Sequence, residues 1–358
     1  MKNTELIDLT KKLISIPSVT GDTNANKQVL DSAIKTLNKY TIERFENKSV
    51  QSVLVYKEKI RPKKFRMLLN AHLDVVAANK TQFSPIIKGK NIYGRGAYDM
   101  KAAAAAEILA FKEVVEKVEY PLGLQLVTDE EVGGFNGTKF QINNGVKAEF
   151  ALAGEPTDLD IDHQEKGILW YKIHSAGVNS HGAYPWRGEN AIQKMNVFLT
   201  NLWKHYPVPK KETWKTTINV AHIKAENTTF NKVPDHCEVY LDIRYIPDDE
   251  DTISNNITKL LPRGFKKELL LNESCMYTDK NNRDIKLLQY CVNKISGHKS
   301  NIIVKHGGSD MRFFSKAGSY TITFGPKGAG LHSDNEWVDL SSLDNYYNIL
   351  KAFLLRIK

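Results

Sequence analysis

The spacing of apolar residues predicts alternating strands and helices over the first part of the chain. Short apolar runs predict strands, and apolar residues at every third or fourth position predict helices. The strands predicted in this way are 52–58, 66–76, 122–128 and 149–153. The helices predicted between them are 100–117 and 136–143. Strands interleaved with helices are typical of an α/β layered sheet.

The pattern changes near Gly167, where the order becomes strand, helix, strand, strand, helix, strand. The elements in that order are 169–176, 190–205, 216–224, 237–245, 250–261 and 267–271. Such an order is typical of a compact α+β sandwich of the ferredoxin-like type. From Asp284 the first pattern resumes and ends in a helix predicted over 341–357. We therefore predict an α/β domain, 1–166 and 279–358, interrupted by an inserted domain, 167–278.

Composition and charge exclude several classes of protein. The chain has 358 residues, of which 41% are hydrophobic and 25% charged, as in ordinary globular proteins. Its net charge of +9 comes from basic residues spread along the whole chain, so we expect no nucleic-acid partner. The longest apolar run, 102–106, is far below the roughly 18 residues that cross a bilayer. Leu6, Leu9 and Leu13 predict an amphipathic helix of the mature protein rather than a signal peptide.

The cysteines suggest a reducing compartment. Cys237, Cys275 and Cys291 are odd in number and widely separated, without the spacing of a disulfide framework or a thiolate metal site. We expect free thiols in a cytoplasmic protein.

Several histidines and acids follow the predicted strands. His72 and Asp74 are two residues apart on one strand, so both side chains point to the same face. The acid could then hold the second ring nitrogen of a metal-bound histidine, although such a pair is often only structural. Asp99 precedes the helix 100–117, where it could instead be a helix cap.

Further candidates lie at the ends of the next strands. The acids 129–131 end one strand, Glu155 follows the next, and His332 follows a strand predicted over 320–324. Each could be a solvated loop residue when taken alone. Together they lie at the carboxyl edge of one α/β sheet, where such sheets bind ligands. Mixed histidine and carboxylate ligands suit zinc, cobalt or manganese, and two ions could bind if one carboxylate bridges them.

These segments resemble, in order, the metal-site motifs of the M20 metallopeptidase and aminoacylase family. The matching motifs are His72-Leu-Asp74, Gly94-Arg-Gly-Ala-Tyr-Asp99, Asp129-Glu130-Glu131, Gly154-Glu155-Pro and Leu331-His332-Ser. The family includes acetylornithine deacetylase, succinyl-diaminopimelate desuccinylase and carboxypeptidase-G-type enzymes, and the resemblance covers essentially the whole chain. It implies a zinc-peptidase-like three-layer catalytic domain with an inserted lid or dimerisation domain, and a homodimer.

The resemblance also assigns metal ligands. It implies two divalent ions, most simply zinc, with cobalt or manganese as alternatives. One ion would be held by His72, Asp99 and Glu155, and the other by Asp99, Glu131 and His332, so that Asp99 bridges the two.

Two further residues receive catalytic roles from the resemblance. Asp74 would orient His72. Glu130 would act as the general base, taking a proton from a metal-bridging water and returning it to the leaving amine.

The remaining matches concern the substrate. His181, in Ser-His-Gly-Ala-Tyr-Pro, resembles the histidine that stabilises the oxyanion, commonly from the partner subunit. Asn231 resembles a substrate-contacting asparagine. Ser309 and Arg312 lie in a stretch similar to the Gly-Thr-Ser-Asp-Gly-Arg-Phe segment of the desuccinylases, whose arginine contacts a substrate carboxylate. Here Met311 replaces the second glycine of that segment.

The sequence therefore predicts a metal-dependent amidohydrolase that cleaves an N-acyl amino acid. The deacetylase and desuccinylase types are the nearest candidates. A dipeptidase or carboxypeptidase acting on a short peptide stays open, because the same water attack on an amide serves both. The alternative from another class is a non-catalytic homologue that binds amino acids or peptides.

Overall fold

The computed structural model describes residues 3–225, 227–297 and 299–358. The α-helices in these ranges are α1 (Thr4–Ile14), α2 (Thr23–Ile34), α3 (Lys101–Val114), α4 (Thr138–Asn143), α5 (Ala191–His205), α6 (Ile253–Leu260), α7 (Arg283–Ser296), α8 (Met311–Lys316) and α9 (Leu340–Leu354). The strands that precede the second unit described below are β1 (Thr41–Asn47), β2 (Val50–Tyr56), β3 (Phe65–His72), β4 (Ile86–Lys88), β5 (Asn91–Tyr93), β6 (Leu122–Val127), β7 (Ala148–Ala153) and β8 (Ile161–Glu165). The remaining strands are β9 (Gly167–Ala176), β10 (Thr217–Lys224), β11 (His236–Tyr245), β12 (Lys266–Glu273), β13 (Met276–Tyr277), β14 (Ile302–Lys305), β15 (Tyr320–Thr323), β16 (Gly328–Ala329) and β17 (Trp337–Asp339).

The chain divides into two compact units. The first comprises Met1–Gln164, Met276–Val304 and Ser309–Lys358. The second comprises Glu165–Cys275 and Lys305–Gly308. The catalytic and dimerisation roles that the resemblance gives to the two parts stay predictions.

The first unit is built on a nine-stranded sheet. The strands follow the order β1-β2-β6-β3-β7-β15-β8-β13, and β14 pairs with β8. The central strands β6, β3, β7 and β15 are parallel, so their carboxyl ends meet at one edge. Every residue of β3 is buried, as expected of a parallel strand covered on both faces.

Helices cover both faces of this sheet. On β2, Val53 and Val55 face the core that α1, α3 and α9 complete. Leu54 faces the opposite core, which includes Met311 of α8, because side chains alternate along a strand. The alanines of α3 are all buried, and their small side chains let this helix approach both β3 and α9 closely. The unit therefore has three layers.

A second, small sheet in the first unit joins two loops that matter for the site. Its strand order is β16-β17-β5-β4. In the pairing of β17 with β5, Trp337 lies opposite Tyr93 and Asp339 opposite Asn91. The loop 94–99 leaves β5 and the loop 330–336 enters β17, so this pairing brings the two loops side by side.

The second unit contains a four-stranded antiparallel sheet of order β10-β11-β9-β12. Buried and half-buried residues alternate along β11, as expected when one face is covered. Helices α5 and α6 complete the core on that face. This is the predicted ferredoxin-like arrangement, and together with the three-layer unit it confirms the predicted fold class.

The structure changes one detail that bears on the site. The strand predicted over 66–76 ends at His72, because the chain turns to form a single bridge between Val75 and Val19. Among the described residues, no helix combines the length and the apolar composition needed to cross a lipid bilayer.

Candidate metal centre

Three of the predicted ligands meet at the carboxyl edge of the nine-stranded sheet. His72 is the last residue of β3. Glu131 lies in the turn after β6, and Glu155 follows β7 by two residues. Because β6 and β7 flank β3 in parallel, their following segments lie on either side of His72.

The other two ligands come from the loops joined by the small sheet. Nε2 of His72 lies 2.9 Å from Oδ1 of Asp99, and the other Asp99 oxygen lies 3.3 Å from Nε2 of His332. Nε2 of His332 is also 3.2 Å from a Glu131 oxygen. Glu155 is more distant, with 3.8 Å between its Oε1 and Nε2 of His72. Asp99 therefore lies between the two imidazoles, one on each of its oxygens.

Asp99 does not cap the following helix. The cap position of α3 is Met100, and no side chain makes a capping hydrogen bond there. The Asp99–Met100 peptide bond is cis. The capping alternative that the sequence left open is thus not what the structure shows.

The pKa values at this site reflect its burial and its charges. Burial opposes ionisation of Asp99, but hydrogen bonds from His332 and His72 outweigh it and hold the pKa of Asp99 below its ordinary value. Burial raises the pKa of Glu131, and the charge of Asp99 adds to this increase. The carboxylates of this group repel one another in a poorly hydrated place.

Such a group fits a divalent metal ion. One ligand atom each of His72, Asp99 and Glu131 lies within 4.8 Å of the others. Imidazole and carboxylate are the ligand types of zinc and of neighbouring divalent metals. His332 adds a further imidazole and adopts a left-handed backbone conformation, with φ of 56°. Non-glycine residues in that conformation carry strain of about 1–3 kcal/mol and occur often at functional sites.

Asp74 connects His72 to the turn that carries Glu130 and Glu131. One of its carboxylate oxygens accepts the main-chain N–H of Glu130 and the other that of Glu131, both at 3.3 Å. The hydroxyl of Thr20 donates to the same carboxylate at 2.8 Å. Nδ1 of His72 lies 2.9 Å from the main-chain oxygen of Asp74 and 3.6 Å from its Oδ1. Asp74 therefore holds more than the histidine ring.

Glu130 lies beside the ligand group and is only partly exposed. Loss of hydration raises the pKa of its carboxyl well above the ordinary value, and the nearby charge of Glu155 raises it further. A carboxyl group is a residue type that transfers protons in catalysis.

The acids next to Glu130 have structural partners that the sequence did not reveal. Asp129 accepts the N–H groups of Asn136 at 2.7 Å and of Gly137 at 3.1 Å. Asp310 accepts the hydroxyl of Thr138 at 2.6 Å. Burial, assisted by the charge of Asp310, raises the pKa of Asp129 to about 7. The first acid of the run 129–131 is thus turned inward and shapes the loop.

A glycine in the same loop has a clear steric reason. Gly134 has φ of 63°, and a Cβ atom there would lie 1.8 Å from Oδ1 of Asp310. Only glycine can occupy this position while Asp310 stays where it is.

Arg312 and Ser309 are placed differently from what a substrate contact suggests. Arg312 is 5% exposed, and its guanidinium donates to the main-chain oxygens of Ser309 and Gly133, both at 2.7 Å. Ser309 is 3% exposed, and its hydroxyl accepts the N–H of Met311 at 3.3 Å. Arg312 therefore supports the loop that follows Glu130, and its substrate role stays a prediction.

In the second unit, His181 and Asn231 lie near each other. His181 forms a single bridge with Lys232, and the N–H of Gly182 donates to the main-chain oxygen of Asn231 at 2.6 Å. Nδ1 of His181 accepts the N–H of Ala183 at 3.1 Å. His181 is exposed, as a substrate contact requires.

Sequence reasoning missed the residues that tie the two ligand loops together. Glu336 accepts main-chain N–H groups of the Asp99 loop, and it pairs with Arg95 at 2.7 Å. Gln82 donates to the main-chain oxygen of Ser333 at 3.0 Å. The sequence did contain one signal. Glu336 lies four residues after the candidate ligand His332 and directly before the apolar pair Trp337-Val338.

Known proteins resemble this chain over about two thirds of its length or more. A succinyl-diaminopimelate desuccinylase of Pelagibacter ubique (strain HTCC1062) is 28% identical, covering 97% of this chain and 98% of that protein. A probable carboxypeptidase of Emericella nidulans is 29% identical, covering 66% of this chain and 62% of its own length. The crystal structure of the aminopeptidase PepT of Bacillus cereus has a TM-score of 0.81 at 16% identity, covering 99% of this chain and 98% of that one.

The family comparison agrees with these similarities. The family whose sequence model matches this chain is described as Peptidase family M20/M25/M40. The match covers residues 68–356, which include all five ligand candidates. The chain therefore belongs to Peptidase family M20/M25/M40 and is a hydrolytic enzyme.

Proposed function

We propose that this protein is a dinuclear metal-dependent amidohydrolase that removes the acyl group from an N-acyl amino acid. The observation that carries the proposal is the convergence of His72, Asp99 and Glu131 within 4.8 Å at the carboxyl edge of the sheet, with Glu130 beside them. We expect one ion at His72, Asp99 and Glu155. The second would bind Asp99, Glu131 and His332. The contacts of both Asp99 oxygens with imidazoles support a bridging role for this carboxylate.

The chemistry then divides between the ions and Glu130. Bound divalent ions, most simply zinc, would polarise the scissile carbonyl and lower the pKa of water towards about 7. The Glu130 carboxylate takes a proton from the attacking water and holds it, a role that its place in the turn next to the proposed ligand Glu131 supports. It delivers that proton to the amide nitrogen as the C–N bond breaks, so the products are a carboxylate and an amine.

Asp74 would hold Glu130, Glu131 and His72 in a fixed arrangement. Its contacts with the Glu130 and Glu131 N–H groups and its proximity to His72 support an orienting role for this carboxylate. A shift of the Glu130 turn would move the base and one ligand together.

We assign the acyl substrate from the named relatives. Succinyl-diaminopimelate desuccinylases from several organisms are about 27–28% identical over nearly the full length of this chain. An N-succinyl amino acid is therefore the first substrate to test, and N-acetylornithine is the second. Asn231 would contact the substrate. The resemblance also gives Arg312 and Ser309 a substrate carboxylate, a role that would require them to become more exposed than the 5% and 3% seen here.

His181 is assigned to the oxyanion. An exposed imidazole can donate a hydrogen bond to the oxygen that becomes negative as water attacks. The His181→Ala variant should lose kcat by about 10²–10³-fold while its affinity for metal is unchanged.

A homodimer is part of the proposal. β10 lies at an edge of the sheet of the second unit, and Ile223 on it is 54% exposed. A groove of about 520 Å³ beside β10 is lined by Val220 and by Trp203 of α5. Light scattering should find a dimer that Trp203→Lys disrupts. The control Tyr290→Lys changes a comparably exposed aromatic residue on α7 of the first unit and should stay dimeric. A monomeric wild type would contradict this part.

The direct test is hydrolysis of N-succinyl-diaminopimelate, N-acetylornithine and a dipeptide panel by metal-loaded protein. We expect cleavage of one acyl substrate, loss of cleavage after chelation, and loss in Glu130→Gln. No hydrolysis of any acyl substrate by protein that binds metal would contradict the proposed substrate class.

The second candidate function is a peptidase. The similarity to the probable carboxypeptidase of Emericella nidulans favours it, as does Met311 in place of the glycine of the desuccinylase segment. Cleavage of dipeptides alone would establish this function instead.

A further inference from the structure

We propose that Glu336 is a positioning residue that fixes the spacing between the ligands Asp99 and His332. The inference rests on the metal roles proposed above for those two residues. Glu336 is 1% exposed and belongs to neither ligand set. It lies on the loop that carries His332, and its contacts are with the loop that carries Asp99.

On the Asp99 side, Glu336 holds the main chain directly. Its Oε1 accepts the N–H of Tyr98 at 2.9 Å and that of Asp99 itself at 3.0 Å. Its Oε2 accepts a hydrogen bond from Nη1 of Arg95 at 2.7 Å, a short distance typical of a charge-assisted bond. Arg95 is 2% exposed, so water competes little with this bond.

On the His332 side, Glu336 is the last residue of the loop 330–336, which carries His332. Its main-chain oxygen accepts the N–H of Gly94 at 3.1 Å, just before β17 pairs with β5. Gln82 makes a second link: its side chain donates to the oxygen of Ser333, and its own main-chain oxygen accepts the N–H of Arg95. The two loops are thus joined at two positions that follow His332, at Ser333 and at Glu336.

This arrangement matters because metal ligation tolerates little displacement. Zinc binds carboxylate oxygen and imidazole nitrogen at about 2.0–2.2 Å. Oδ2 of Asp99 and Nε2 of His332 already lie 3.3 Å apart, a separation that one ion can span. Partners that orient metal ligands typically change metal affinity by about 10–100-fold when they are replaced.

The alternative is that Glu336 only stabilises the fold as half of a buried ion pair. Asp284 provides the matched control, because it is 4% exposed and accepts hydrogen bonds from Arg66 at 2.8 and 2.9 Å in the same unit. Asp284 contacts none of the proposed ligands in these bonds. A general effect of losing a buried acid would appear equally in both positions.

The experiment measures the zinc dissociation constant of metal-free Glu336→Ala, Glu336→Gln and Asp284→Asn by competition with a chromophoric chelator, with thermal unfolding beside it. We expect Glu336→Ala to bind zinc about 100-fold more weakly than wild type and Glu336→Gln about 10-fold more weakly. Glutamine keeps an oxygen for the two N–H groups but loses its charge opposite Arg95. Asp284→Asn should lower the unfolding temperature and bind zinc within twofold of wild type.

The outcomes separate the two proposals. Zinc affinities of both Glu336 variants equal to that of Asp284→Asn would overturn the positioning role while leaving the proposed function intact. A wild type that binds no zinc would overturn the metal chemistry itself and this inference with it. If Glu336→Ala does not fold, the zinc dissociation constant of the nearly isosteric Glu336→Gln still tests the positioning role.

Discussion

The two ends of the parallel strands in the first unit both bury charge, but they balance it differently. At the amino end, Arg66 of β3 donates to both oxygens of Asp284, so a full positive charge faces a full negative one. At the carboxyl end of the same strand, the carboxylates of Asp99 and Glu131 meet only imidazoles in their closest contacts, those of His72 and His332.

The difference shows what each end is built for. A buried ion pair with hydrogen bonds on both oxygens is complete, and removing one partner leaves a charge without compensation. A buried group with more carboxylates than cations becomes more favourable when a cation joins it. We therefore interpret the amino end as structural and the carboxyl end as a site completed by metal.

The largest effect expected at the carboxyl end is on catalysis. Glu130→Gln should lower kcat by about 10³-fold, because the amide cannot accept the proton of the attacking water. The bound metal should remain, since Glu130 is not among the ligands. The measurement is steady-state kinetics together with metal analysis, with Asp284→Asn as a control that keeps its kcat. Full activity in Glu130→Gln would contradict the assignment of the base.

The amino end should respond in stability instead. Asp284→Asn leaves the Arg66 guanidinium buried without its carboxylate, and should cost about 3 kcal/mol of unfolding free energy. Urea unfolding of the metal-free protein measures this. An unchanged midpoint would mean that the pair contributes little, and a lost metal site would mean that the two ends are coupled.

Removal of metal from the carboxyl end should lower the free energy of unfolding by slightly less than the Asp284→Asn substitution does. A ligand at 100 times its dissociation constant stabilises the folded state by about 2.7 kcal/mol. Chelation should therefore lower the unfolding temperature of wild type and of Asp284→Asn by the same amount. Asp99→Ala should show no such decrease. A chelator-insensitive wild type would remove the distinction between the two ends.

The second unit shows a third way to bury an ionisable group, which is to keep it neutral. Cys275 is 3% exposed, its sulfur accepts the N–H of Gly167, and burial raises the pKa of the thiol from 9.0 to about 12. Because the folded pKa is the higher one, this contribution is complete below pH 9 and is lost as the pH rises towards 12.

Ionisation of the Cys275 thiol gives the smallest predicted effect on stability. Between pH 8 and pH 10.5 wild type should lose about 2 kcal/mol more unfolding free energy than Cys275→Ala does. Urea unfolding at the two pH values measures the difference. Val239→Ala, which removes part of a buried side chain of the second unit but no titratable group, should keep the pH dependence of wild type. Equal pH dependence in wild type and Cys275→Ala would contradict the neutral thiol.

Much of the fold followed from local pattern, because the period of apolar residues differs between strands and helices. The apolar run 67–71 and the alternation along β9 are visible in the sequence, and the strand order of the second unit follows from its order of elements. The candidate ligands could be named since polar residues at the ends of such runs share one edge of the sheet.

The rest depended on contacts between distant segments. Arg95 and Glu336 are separated by 241 residues, and their pairing exists only because β5 and β17 meet in the small sheet. Both strands have three residues, too few for a periodic signal. The inward turn of Asp129 likewise depends on N–H groups of the following loop. Local pattern can propose ligands, but it cannot show what holds them.

The most direct test of the account is the zinc content of wild type and Asp99→Ala after equilibrium dialysis at one free zinc concentration. We predict two zinc ions per chain in wild type and loss of both in Asp99→Ala, because this carboxylate would be a ligand of both ions. Two ions retained by Asp99→Ala, or none bound by wild type, would contradict it.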